Sequence, residues 1–141
     1  MQYLDRVESK WPLRIQLPPG SNVPLHCTAS GKLFLASMTK ARRERLIPKL
    51  NLEQKAENSI TNLDMLMAEI DAIEVSGIGT DNEEFITGMV AIAVPIKGHD
   101  GRLLATLATH GPIARMTFEQ ALGHVDILRQ ASQELVASIA E

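Results

Sequence analysis

Two short stretches hold most of the side chains able to do chemistry. "HCTASGK", residues 26–32, offers a histidine, a thiol, two hydroxyls and a lysine. "GTDNEEFITG", residues 79–88, offers Asp81, Glu83 and Glu84. Gly31-Lys32 has the look of a phosphate-binding loop, but that loop requires a Gly five residues earlier and a Ser or Thr afterwards. His26 and Leu33 stand at those places, so nucleotide binding by this route is excluded. Three acids in a loop can form a solvated edge. As a general acid–base pair they need a partner nucleophile, which no motif here provides. His26, Cys27, His99, His110 and His124 follow no metal-ligand spacing, so no metal and no cofactor is expected. Cys27 lacks an activating context and reads as a small core residue.

Two weaker possibilities remain. Thr28 or Ser30 can cap a helix whose first amides are unpaired and carry partial positive charge. With Ala29, Ser30 and Gly31 at that start, nothing bulky blocks a carboxylate from those amides; plain capping explains the same residues. In the strand "MVAIAVPI", Val90, Ile92, Val94 and Ile96 face one way and should pack on helices. Met89, Ala91, Ala93 and Pro95 face the other. Thr106, Ala108 and His110 share a face of the next strand. A small-residue face bordered by Thr106 and His110 suits either a ligand pocket or close helix packing.

The elements that must position these groups are legible in outline. "YLDRVES" and "PLRIQL" read as short strands, and "PPGSNVP" as a loop. A helix should follow Thr28, and another should follow Thr39 and stop at Pro48. Thr61, with Asp64 three residues on, predicts the start of a helix that Gly77 ends. "GIGTDNEEF" reads as a loop. "ITGMVAIAVPIK" and "RLLATLATH" read as strands joined by a "GHDG" turn, with His99 and Asp100 exposed. Thr117 to Ala140 reads as one helix with Leu122, Val125, Leu128, Leu135 and Ile139 on one side. The mixture predicts an α+β domain around an antiparallel sheet.

Composition sets the outer bounds. The chain has 141 residues, a formal charge of −3, 45% hydrophobic residues and one cysteine. That length suits one domain, residues 1–141, burying about two-thirds of its unfolded surface without metal or disulfide support. The acidic balance lacks the basic footprint of a DNA-binding surface; "KARRERLIPK" is the one basic cluster. A lone cysteine rules out an internal disulfide and, with no secretory leader or long apolar run, predicts a cytoplasmic protein without membrane contact.

Taken together, "YLDRVES.WPLR", "G..VPLHCTASGKLFLA", "G.G.DNEEFITGMVAIAVPI" and "GRLLATLATHGPIAR" resemble the effector-binding domain of IclR-type bacterial transcriptional regulators, in order and spacing across nearly the whole chain. Gly77, Asp81, Glu84, Ala91, Ile92, Ala93 and Ile96 satisfy that family's signature. Lys97-Gly98 replace its closing aromatic–acid pair. The resemblance implies a GAF/PAS-like antiparallel sheet flanked by helices, no enzymatic activity, and a small organic-acid ligand that alters DNA binding by an attached winged helix-turn-helix. It also implies that the amides of Ala29 and Ser30 hold the ligand's carboxylate and that Asp81 faces a hydroxyl, protonated oxygen or water. Met89, Ile15 and Val23 would be apolar walls. Ala91 and Ala108 stand where members taking glyoxylate or pyruvate carry Cys and Ser, and His110 stands where another Ser is found. Losing those polar groups predicts a ligand larger or less polar than glyoxylate. Self-association into dimers or tetramers is implied as well. No helix-turn-helix pattern occurs between Met1 and Glu141, so this chain alone is expected not to bind DNA specifically; contact with DNA would come through another domain.

Overall fold

The computed structural model describes residues 1–5 and 22–139. Most of the two strands expected between Tyr3 and Leu17, with Ile15 among them, lie outside the described residues. Three strands form an antiparallel sheet in the order β1 (Gly79–Asn82), β2 (Met89–Lys97), β3 (Leu103–Pro112). β2 and β3 are the predicted hairpin, and the register pairs Ala91 with His110 and Ala93 with Ala108.

β1 corrects the expectation of a loop at "GIGTDNEEF". Gly, Asp and Asn are poor strand formers, so nothing local announces it. Its four residues pair with Val90 to Ala93 of β2, and that long-range ladder overrides the local preference.

Alternation along β2 divides the core as its side chains require. Val90, Ile92 and Val94 are fully buried against Ala121, Val125 and Leu128. Those three come from helices α4 (Phe118–Leu122) and α5 (Val125–Ile139). Ala91 and Ala93 join Ala29, Leu33, Leu35, Leu66, Ile70 and Ile73 on the other side. That layer consists of α1 (Ala29–Ser37) and α3 (Leu63–Ser76), with α2 (Lys40–Leu46) and a 3-10 turn at Ile47–Lys49 beside them.

Two helix boundaries differ from the sequence reading. Asn62, not Thr61, caps α3, its side-chain oxygen accepting the Met65 amide at 3.1 Å. The expected single C-terminal helix is two. Thr117 and Gln120 form a reciprocal capping box, α4 ends after one turn, and the chain turns at Gly123-His124 before α5. Leu135 and Ile139 consequently lie exposed instead of completing a buried stripe. Gly77 does end α3, in the left-handed conformation with φ 70°.

α1 lies across all three strands. Its start rests directly on β1: a Cβ on Gly79 would sit 2.2 Å from the Ala29 carbonyl oxygen. Only glycine permits that approach, and it fixes the first turn of α1 over the sheet.

Candidate ligand site

Thr28 builds the start of α1. Its hydroxyl donates to the Pro24 carbonyl at 2.7 Å and accepts the Gly31 amide at 3.0 Å. The Lys32 amide makes the first intrahelical bond, to the Thr28 carbonyl. Two of the helix's first amides, those of Ala29 and Ser30, have no partner among the described residues. Gly31 is glycine because a Cβ there would lie 2.6 Å from the Leu25 Cα, where the loop folds back under the helix.

The sheet face beneath α1 carries a row across three strands. Asp81 on β1 pairs with Ala91 on β2, which pairs with His110 on β3. Paired positions of an antiparallel ladder share a face. The next row on that face is Gly79, Ala93 and Ala108. Gly79 and Ala93 serve close helix packing, as one sequence reading had it. Ala108 packs on the edge of the same cluster as Ala29 and Ala91. Met89, half-buried, stands two residues before Ala91 on this face. Val23 is buried next to the N-terminal residues, its amide donating to the Met1 carbonyl at 3.0 Å. Ile15 lies outside the described residues.

The acids at 81 and 84 are not a solvated edge. Asp81 is 4% exposed and Glu84 7%. Asp81 Oδ1 accepts the Glu84 amide at 2.8 Å. Burial pushes the Asp81 carboxyl up to about 7; the Glu84 charge adds to this, while the two backbone hydrogen bonds and Lys32 oppose it. Glu83 opens the bend, with φ 57° and its carboxylate accepting the Gly88 amide at 2.9 Å.

Two further groups border Asp81, and sequence reasoning named neither as a site residue. The Tyr3 ring lies 6.1 Å from that of His110, inclined at 60°. Burial and then the Asp81 charge raise its phenol's pKa. Cys27 is fully buried, and burial, with Asp81 and Glu84 next, pushes its thiol up to about 12. It is therefore a neutral thiol and no nucleophile. His110 is exposed at the surface, and desolvation by neighbouring atoms lowers its pKa. His26 Nε2 is engaged with the Glu53 carbonyl at 2.7 Å. Among the described residues, no three His, Cys, Asp or Glu side chains converge to hold a metal.

Lys32 also has a role that sequence reasoning did not reach. Its ammonium is completely buried and meets Glu84 Oε1 at 2.7 Å and Glu69 Oε1 at 3.3 Å. It thus points at protein carboxylates, not at a phosphate. Two open surface depressions, of about 490 Å³ at Arg115–His124 and about 330 Å³ along Met38–Lys49, are lined by none of the row's residues.

The family described as bacterial transcriptional regulator IclR, C-terminal, matches residues 1–137. The chain belongs to that family. It is 47% identical over 139 residues to a protein of Cupriavidus necator named "Probable transcriptional regulator SauR", covering 99% of this chain and 55% of that one. The IclR structure of Thermotoga maritima superposes with a TM-score of 0.86 at 29% identity, covering 97% of this chain and 56% of the other. A double mutant of the PobR inducer-binding domain from Acinetobacter, in complex with 3-hydroxybenzoic acid, gives 0.82 at 25% identity, covering 92% and 74%. The fold is thus the GAF/PAS-like one of IclR effector-binding domains. The relatives are transcriptional regulators, not enzymes. This chain spans about half the length of the curated relatives it matches. No helix among the described residues is long and apolar enough to cross a membrane.

Proposed function

We propose that this IclR effector-binding domain senses a small organic acid. The amides of Ala29 and Ser30 take the ligand's carboxylate, assisted by the helix dipole. Asp81 takes a hydroxyl or bridging water at the other end. Ala91 and Ala108 put only methyl groups on the face between them, Met89 and Val23, with Ile15, supply apolar walls, and His110 offers a ring nitrogen at the rim. Ligand state then alters self-association into dimers or tetramers and DNA affinity of a winged helix-turn-helix domain elsewhere in the regulator.

The observation that carries this reading is the pair of unpartnered amides at the head of α1, seated over the face that bears Asp81, Ala91 and His110. Methyl groups at Ala91 and Ala108, in place of the thiol and hydroxyl of glyoxylate-type members, favour a larger and less polar acid. The double mutant of the PobR inducer-binding domain is in complex with 3-hydroxybenzoic acid, an acid of this kind.

The test is a thermal-shift and calorimetric titration of 3-hydroxybenzoate, longer-chain acids and glyoxylate against the wild type and Asp81→Ala. A ligand bound only to the folded state adds about 2.7 kcal/mol at one hundred times its dissociation constant. The wild type should respond to the larger acids, and Asp81→Ala should lose most of that response. Tight glyoxylate binding with no gain for larger acids, or no response to any acid, would remove the proposal.

A further inference from the structure

Lys32 is the most deeply buried charged side chain among the described residues. Its ammonium donates to both Glu84 oxygens, at 2.7 and 2.9 Å, and to Glu69 at 3.3 Å. Glu84 reaches onward. Its Oε2 accepts the Asn82 amide at 3.1 Å, its own amide donates to Asp81 Oδ1 at 2.8 Å, and its carbonyl accepts the Ser59 hydroxyl at 2.5 Å. Burying two charges costs several kcal/mol of solvation, and an apolar pair of the same volume is often at least as stable. A buried pair of this kind is weak evidence for a gain in stability.

Its connections offer another reason. Lys32 sits one turn beyond the amides of Ala29 and Ser30 on the same helix. Glu84 is bonded to the carboxyl of Asp81 through its backbone. One ion pair thus joins the two ends of the proposed ligand site, which belong to separate elements. We propose that Lys32 and Glu84 are positioning residues, a clasp that sets the head of α1 at a fixed distance and orientation from Asp81. The inference rests on the acid-sensing reading above.

Four ionisable groups interact with Asp81: Tyr3 in the N-terminal segment, Cys27 ahead of α1, Lys32 in α1 and Glu84 in the bend; His110 on β3 lies beyond Ala91 in the same row. Glu69 of α3 touches Lys32, and Lys55 acts on Cys27. Among them, Lys32 lowers the Asp81 pKa and Glu84 raises it. Removing each partner should therefore shift Asp81 in opposite directions through charge alone; the acid affinity of a folded double variant is the readout that a pair merely holding the fold together would not move.

The experiment compares Lys32→Met, Glu84→Gln and the double variant with the wild type. Asp81 is titrated by carboxyl carbon NMR without ligand, and 3-hydroxybenzoate affinity is measured by calorimetry. Lys32→Met should raise the Asp81 midpoint and Glu84→Gln should lower it. The double variant should melt near the wild type yet bind the acid about tenfold more weakly, the size of effect that supporting residues exert on a coupled site. If Lys32→Met does not fold, Glu84→Gln and the double variant carry the test. Unchanged affinity in a folded double variant, or midpoints moving the same way in both single variants, overturns the clasp. A wild type that binds no acid overturns the ligand reading and the clasp with it, whereas a wild type that binds and a double variant that binds equally well overturn the clasp alone.

Discussion

Asp81→Asn should make the domain more stable above neutral pH and leave it little changed near pH 4. Asp81 is 4% exposed, and its carboxyl titrates at about 7 instead of 3.8. The folded state therefore holds this proton more tightly than the unfolded chain does. Below pH 3.8 the carboxyl is neutral in both states and burial carries no charge penalty. Between 3.8 and about 7 the unfolded chain ionises first, so stability falls as pH rises, and above 7 the loss is complete. At 1.36 kcal/mol per pH unit, the displacement from 3.8 to about 7 amounts to ~4 kcal/mol. Asn mimics the neutral acid, its amide oxygen can still accept the Glu84 amide, and it has no charge to desolvate. The difference between variant and wild type should thus widen by ~4 kcal/mol in the variant's favour from pH 4 to pH 8. Urea unfolding of both proteins at half-unit pH intervals measures it. A difference that stays flat across that range, or a variant less stable at pH 8, refutes the claim that burial dominates at Asp81.

Gly79→Ala should cost about 3 kcal/mol, the upper end for overpacking, because the new methyl meets the Ala29 carbonyl, a backbone atom that cannot rotate away. The melting temperature should fall by about 10 °C; a fall of less than about 2 °C would show that α1 floats above β1. Thr28→Val removes the hydroxyl that both caps Gly31 and holds Pro24, so about 1–2 kcal/mol should be lost in chemical denaturation. An unchanged midpoint would mean that the Pro24–Thr28 turn holds α1 without its cap.

The parts legible in the sequence were those set by neighbours along the chain. Thr28 and Thr39 cap helices, and Gly77 ends one, because a hydroxyl or a left-handed glycine acts within three or four residues. The β2–β3 hairpin followed from alternation and the "GHDG" turn. The branched set Val90, Ile92 and Val94 packed on helices as expected. Resemblance to IclR regulators then supplied Ala29, Ser30 and Asp81 as a group that spacing alone could not assemble. Where local cues conflicted, prediction failed. The residues of β1 favour a turn, and only pairing with β2 makes them a strand. Gly123 and a short capped turn divide a stretch whose apolar spacing suggests one helix.

By itself the sequence determined the helix caps, the hairpin, the two faces of β2 and the family. The first three depend on contacts a few residues apart or on a pattern repeated along one element, and the family on the resemblance of four motifs in order along the chain. The tertiary structure alone decided that Glu84, 52 residues from Lys32, would become its counterion. It also decided that Tyr3 would lie beside His110 and that Asp81 would be buried deeply enough to hold a proton near neutrality. Desolvation and ion pairing depend on which surfaces meet once the chain has closed, and no spacing along the chain encodes that.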